Sequence, residues 1–138
     1  MPAFREIDHT ADLGIEVEAA DLTALFASAG EALFALIADS ASIEERELIA
    51  LSAVGGGPEE LLHAWLCELL AQFNSSGFVA KSCNVSQVTN DRVDGVIRGE
   101  TLNLARHGFR TEIKGVTYHD FKVWQENGQW HARVIFDV

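Results

Sequence analysis

The chain has 138 residues, 48% of them hydrophobic and 22% charged, and a formal net charge of −11. That length predicts one domain burying roughly two-thirds of its unfolded surface, so a core needs neither disulfide nor metal. The composition argues against disorder, no apolar run nears the ~20 residues of a membrane helix, and the acidity argues against gripping nucleic-acid phosphates, which takes clustered Lys and Arg.

The start, MPAFREIDHTAD, lacks the basic-then-apolar layout of a signal peptide. Phe4 to Ile7 alternates and predicts a short edge strand. Ile15, Val17 and Ala19 alternate with Glu16 and Glu18, as in a half-buried strand. His9-Thr10-Ala11-Asp12 between them is too polar for a strand interior. Asp21 is the expected N-cap of a helix running to about Asp39, with one broad stripe from Leu22 to Ile37. Leu48 to Val54 reads as a strand, broken by Gly55-Gly56-Gly57-Pro58. No Lys-Ser or Lys-Thr pair follows those glycines, so they do not make a phosphate loop. Pro58 suits the first helical position, and Glu59 and Glu60 suit the positive end of the helix dipole. The second apolar stripe runs from Leu61 to Phe73, and Asn74-Ser75-Ser76-Gly77 ends that helix.

The remainder reads as β. Phe78 to Thr89 and Val93 to Arg98 flank a turn at Asn90-Asp91. Leu102 to Thr111 has no clean period and is expected to be an exposed, basic loop. Ile113 to Gln125 and Trp130 to Phe136 flank Asn127-Gly128, a strong hairpin signal because both turn positions need φ > 0. A two-residue turn pairs Glu126 with Gln129, Trp124 with His131 and Lys122 with Arg133. Continued, it pairs Tyr118 with Asp137, with a bulge expected near His119. Trp130, Ala132, Val134 and Phe136 then share the core face. Cys67 falls on a helix and Cys83 on a strand, without CxxC spacing; with no export signal they point to a reducing cytoplasm.

The charge is unevenly placed. Residues 1–69 carry 14 Asp and Glu against 2 Lys and Arg, a balance of −12; residues 70–138 carry 7 against 8, a balance of +1. Solubility explains such an excess, as does an acidic face for a basic partner or a cation. Asp137 is out of character in a strand. It is followed by Val138, the last residue of the sequence, so side chain and terminal carboxylate together could hold a hard cation, or simply be solvated. Asp12 offers a further carboxylate and His9 an imidazole, though Asp12 could equally cap a turn and His9 be a satisfied surface residue. Asp39, at the end of the first helix, opposes the dipole and calls for a cation or solvent. No Ser/His/Asp or Cys/His arrangement can be assigned.

Three segments in order resemble the archease family: His9-Thr10-Ala11-Asp12-Leu13-Gly14-Ile15, then Leu61-Leu62 through Trp65-Leu66 to Glu68-Leu69-Leu70, then Glu112 to His119 running on to Arg133-Val134-Ile135-Phe136-Asp137-Val138. The resemblance implies a non-enzymatic accessory factor of the RtcB-type tRNA-splicing RNA ligase, promoting ligase guanylylation and multiple turnover. It implies a divalent cation, Ca²⁺ with Mg²⁺ as the alternative, at Asp12, Asp137 and Val138, and contact with RNA only through the ligase. Ala64, Cys67 and Arg106 depart from the family's usual residues. Two other readings compete: a metal-dependent hydrolase using His9, Asp12 and Asp137, and a general chaperone of protein–nucleic-acid assemblies. The expected architecture is a two-layer α+β domain, with two amphipathic helices on a mixed or antiparallel sheet of about seven strands ending in a hairpin.

Overall fold

The computed structural model describes residues 4–9 and 12–138. Eight strands and two helices follow in order: β1 (Phe4–His9), β2 (Asp12–Ala19), α1 (Leu22–Ile37), β3 (Glu47–Val54), α2 (Pro58–Ser76), β4 (Phe78–Val88), β5 (Arg92–Thr101), β6 (Gly115–Val116), β7 (Lys122–Glu126) and β8 (Gln129–Asp137). The strands form two sheets where one was expected. The larger runs β1-β2-β8-β6, with β7 also on β8; the smaller runs β3-β5-β4. Every pairing is antiparallel. Among the described residues, no helix is long and apolar enough to cross a membrane.

The helices hold the two sheets together. α1 packs on β2 and β8 of the larger sheet and on β4 of the smaller; α2 packs on β3, β4 and β5 and also on β6. Asp21 caps α1 as expected, its carboxylate accepting from Ala24 N–H at 2.8 Å. Pro58 opens α2, and Gly77 closes it in the left-handed region at φ 73°. Trp65 is fully buried, and its indole N–H donates to the Phe26 carbonyl at 3.3 Å, joining α2 to α1. Phe26, Leu33 and Phe34 from α1, Leu62 and Leu66 from α2, Ile97 from β5 and Val134 from β8 complete a continuous core.

The terminal hairpin forms in the expected register, Glu126 with Gln129, Trp124 with His131 and Lys122 with Arg133. Asn127 and Gly128 both take positive φ, 54° and 75°. Beyond Lys122 the expected register fails. The partner strand breaks at a turn in which Phe121 N–H donates to Tyr118 O at 3.2 Å and Asp120 takes φ 53°. That insertion moves the pairing by three residues, so Gly115, and not Tyr118, faces Asp137. A break on this scale exceeds the one-residue bulge expected near His119. Ala132, Val134 and Phe136 are buried as predicted, while Trp130 is only half-buried. Ile135, on the opposite face, is buried as well, outside the main core cluster.

The loop 102–111 is largely exposed, as expected, but it is tied into the fold. His107 is buried, and Arg110 donates its N–H to Ile37 O at 2.8 Å and its guanidinium to Ala35 O at 3.3 Å. The loop thereby supplies the cation and donors that the C-terminus of α1 lacks in its own last turn.

Close approach of β4 and β5 depends on Gly99: a Cβ there would fall 2.0 Å from Val79 O and 2.7 Å from Ala80 Cα, both backbone. Leu66→Ala should cost about 2–5 kcal/mol, as for other buried leucines. Gly99→Ala should lower the urea midpoint further than Leu66→Ala, since strand separation has no side-chain remedy. An unchanged midpoint would contradict this packing of β4 on β5.

Candidate metal centre

Two strands far apart in sequence bring the backbones of two predicted site residues together. β2 pairs with β8 so that Asp12 lies directly across from Asp137. On the other side of β8, Gly115 lies across from the same Asp137. Thr117 N–H donates to Ile135 O at 3.0 Å, which makes 117/135 and 115/137 hydrogen-bonded pairs. Successive residues of β8 point their amides to opposite sides, so 12/137 is a non-hydrogen-bonded pair. Such pairs hold their Cα atoms closest, about 4.5 Å apart.

Several features keep the Asp137 end ordered yet open. Lys114 N–H donates to Asp137 O at 2.8 Å. Asp137 and Val138 are both exposed. At Gly115 a Cβ would stand 3.6 Å from Asp137 Oδ2, so the missing side chain leaves space beside the carboxylate. Like charges directly opposite in a sheet repel. Arg133 and Arg5 both reach Glu16, Arg133 at 3.4 Å. Among the described residues no ion pair reaches Asp137. Oxygen donors, an open solvent side and no ammonium or guanidinium partner are what a hard cation such as Ca²⁺ or Mg²⁺ uses.

The other predicted residues sort differently. His9 pairs with Asp12 at the tip of the β1–β2 hairpin. Both therefore belong to strands, where a polar break was expected. Thr10, Ala11 and the side chains of His9 and Asp12 lie outside the described residues, and with them the imidazole of the hydrolase reading. Asp39 is not part of this site. Its carboxylate accepts Ala41 N–H at 3.1 Å and caps a one-turn helix over Ser40–Ser42, so it calls for no cation.

The model of the Archease protein family (MTH1598/TM1083) matches residues 4–138. The chain belongs to the archease family. Protein archease of Methanopyrus kandleri is 39% identical over 141 residues, and that of Sulfolobus acidocaldarius 32% over 139, each covering all of both chains. The solution structure of Methanobacterium thermoautotrophicum protein 1598 superposes with a TM-score of 0.84 at 29% identity, covering both chains entirely. A Thermotoga maritima crystal structure, described as an archease and possible chaperone, superposes at 0.70 over 97% of this chain and 96% of its own. At 20% identity it supports the fold alone.

Two side-chain clusters in this archease-family chain escaped sequence reasoning. On α2, His63 Nε2 donates to Val116 O at 2.9 Å, so Nδ1 is left to accept from the Cys67 thiol at 3.6 Å. Tyr118 stacks on the His63 ring, centroids 3.8 Å apart. The spacing of four between His63 and Cys67 was the available signal. This is not an activated thiolate, because burial first and Glu68 second push the thiol pKa up.

The other cluster centres on Glu100, only 4% exposed. Its carboxylate accepts from Arg106, from Glu44 N–H at 2.6 Å and from His107 Nε2 at 3.0 Å, and Arg46 lies 3.2 Å away. His107 Nδ1 accepts Asn103 N–H at 2.8 Å, which places the ring proton on Nε2. Every group is partnered within the fold, so the perturbed carboxylate marks a structural network. Arg106 first, then Glu44 N–H, hold its pKa down at about 2, against 4.5 ordinarily. A carboxylate depressed by folding stabilises the native state above the unfolded pKa and loses that contribution as pH falls through the folded one. Stability should therefore decline between pH 4.5 and about 2, and Glu100→Gln should flatten that limb while lowering stability at pH 7. Urea midpoints measured across that window test it.

Proposed function

We propose that this chain is a non-enzymatic, cytoplasmic accessory factor of an RtcB-type tRNA-splicing RNA ligase, promoting ligase guanylylation and multiple turnover. Asp12, Asp137 and a main-chain oxygen of Val138 would hold a divalent cation, Ca²⁺ in preference to Mg²⁺. The observation that carries this reading is the register that sets Asp12 opposite Asp137 with a bare Gly115 beside it. Membership of the archease family supports it. So does the balance of −12 in residues 1–69, which suits docking on a basic, RNA-binding partner and steers the encounter. The chain's own excess charge leaves phosphate binding to that partner.

The cation would supply charge neutralisation between opposed carboxylates and a link between the first hairpin and the last strand. Calcium at a hundredfold its Kd would then stabilise the native state by ~2.7 kcal/mol. Melting temperature should rise by several degrees on adding Ca²⁺ and return on chelation, and Asp137→Asn should abolish the shift. No shift for the unaltered chain at millimolar Ca²⁺ would refute the cation site.

The ligase role has its own test. Adding the chain to its cognate ligase should accelerate guanylylation and turn a single-turnover reaction into many. Asp12→Ala and Asp137→Ala should lose the effect while remaining folded. No stimulation at any ratio refutes the activator reading. Suppression of aggregation by unrelated clients would favour the general chaperone, the role suggested by the description of the Thermotoga maritima relative. Phosphatase or nuclease turnover by the chain alone with Mg²⁺ would favour the hydrolase.

A further inference from the structure

The smaller sheet has two edges, and they are treated oppositely. The β4 edge is guarded: register shifts fall between Ala80 and Ser82 and between Val85 and Gln87, Lys81 sits within it, and Glu31 from α1 accepts Cys83 N–H at 3.0 Å. Bulges, lysine and covering side chains are the usual means of blunting an edge. The β3 edge has none of them. Its eight residues, ELIALSAV, pair with β5 without a register shift and contain no Lys, no Pro and no Gly. Among the described residues, β5 is its only partner strand.

The bonding parity identifies which amides face outward. Gly55 N–H donates to Asp91 O at 3.1 Å, continuing the Val54–Arg92 register. At the β4–β5 turn, Thr89 N–H donates to Arg92 O at 2.8 Å, which turns Arg92 toward β4 and Val93 toward β3. The odd residues of β3 therefore bond to β5. Leu48, Ala50, Ser52 and Val54 aim N–H and C=O away from the sheet. All four are exposed, Leu48 at 53% and Val54 at 68%.

Charge decides what can pair there. Glu44, Glu45 and Glu47 stand at the start of β3. Asp91, tied to Gly55, and Glu60 in the first turn of α2 stand at its end, while Glu59 is turned to Val123 N–H. Arg46 is spent on Glu44 and Glu100, and Arg92 on Asp94. A second copy laid antiparallel would set the acidic start of one strand against the acidic end of the other; laid parallel, it would match like ends. Either way carboxylates collide, which is how a sheet edge excludes itself while staying open to another partner.

We propose that the β3 edge is a strand-addition site for an extended protein segment with an alternately apolar centre and Lys or Arg at both ends. Main-chain bonds to Leu48, Ala50, Ser52 and Val54 supply the affinity, and the flanking carboxylates supply the selectivity. The site is separate from the Asp12–Asp137 pair and stands whether or not that pair holds a cation.

The test uses the whole chain and two synthetic peptides, Lys-Lys-Val-Thr-Val-Thr-Val-Thr-Lys-Lys and its counterpart with Glu in place of every Lys. Amide hydrogen exchange at Leu48, Ala50, Ser52 and Val54 should slow at least tenfold with the Lys-flanked peptide and not with the Glu-flanked one. Ala50→Pro removes an outward N–H without touching a β5 bond and should abolish the protection. Glu47→Lys combined with Glu60→Lys leaves every edge amide in place and should weaken the Lys-flanked peptide more than tenfold at low salt. No protection at millimolar peptide overturns the proposal, as does equal protection by both peptides. Protection that rises with protein concentration alone also overturns it, because the occupant is then a second copy.

Discussion

The pairing of β2 with β8 is the constraint on which the rest depends. It joins residues 12–19 to residues 130–137 over eight consecutive pairs. Its inner face sets Ile15 on Val134 and Val17 on Ala132, all buried against α1 and the core. Its outer face sets Glu16 on Arg133 and Asp12 on Asp137. One register thus fixes both core and carboxylates, and a one-residue slip would exchange them. Among the described strand pairings it also has the greatest separation in sequence, so its loop-closure cost is the largest.

The acidic excess has more structure than a net charge conveys. Asp21 accepts Ala24 N–H, Asp39 accepts Ala41 N–H, Glu31 accepts Cys83 N–H, and Glu59 accepts Val123 N–H at 3.0 Å. These four carboxylates of the first half satisfy backbone donors that no helix or ladder reaches. Glu16 engages Arg5 and Arg133. Solubility alone therefore does not account for the excess. Of the remaining acids, Glu44, Glu45, Glu47 and Glu60 stand near the two ends of β3.

Local signals were read well, and long-range ones were not. Asp21, Pro58, Gly77 and Asn127-Gly128 specify their caps and turn by short-range chemistry, and each acts as its residue type dictates. The oddity of Asp137 was visible because a strand disfavours it. Its partner Asp12 was nominated through a family resemblance, since nothing in spacing links residues 125 positions apart. The division into two sheets was illegible for the same reason. Period-2 alternation gives a strand its faces and does not give it neighbours. The turn at Tyr118–Phe121 was hidden because Asp120 takes its positive φ without a glycine to announce it. Likewise nothing in the sequence spacing marks Glu100, Arg106 and His107 as one cluster; the fold buries the Glu100 carboxylate among the donors of the other two and Glu44 N–H.

The position of the carboxylate pair follows from the sheet's own geometry. A loop could bring two aspartates together in many ways, but a strand pair offers only alternating close and wide positions. Here the close position falls on the last pair of the β2–β8 ladder, where fraying costs least. Repulsion between residues 12 and 137 would open the ladder from that end. Gly115 adds the third side by approaching Asp137 without a side chain to fill the gap. A charge-neutralising ligand at that end would hold the ladder closed through the same strands that bury the core.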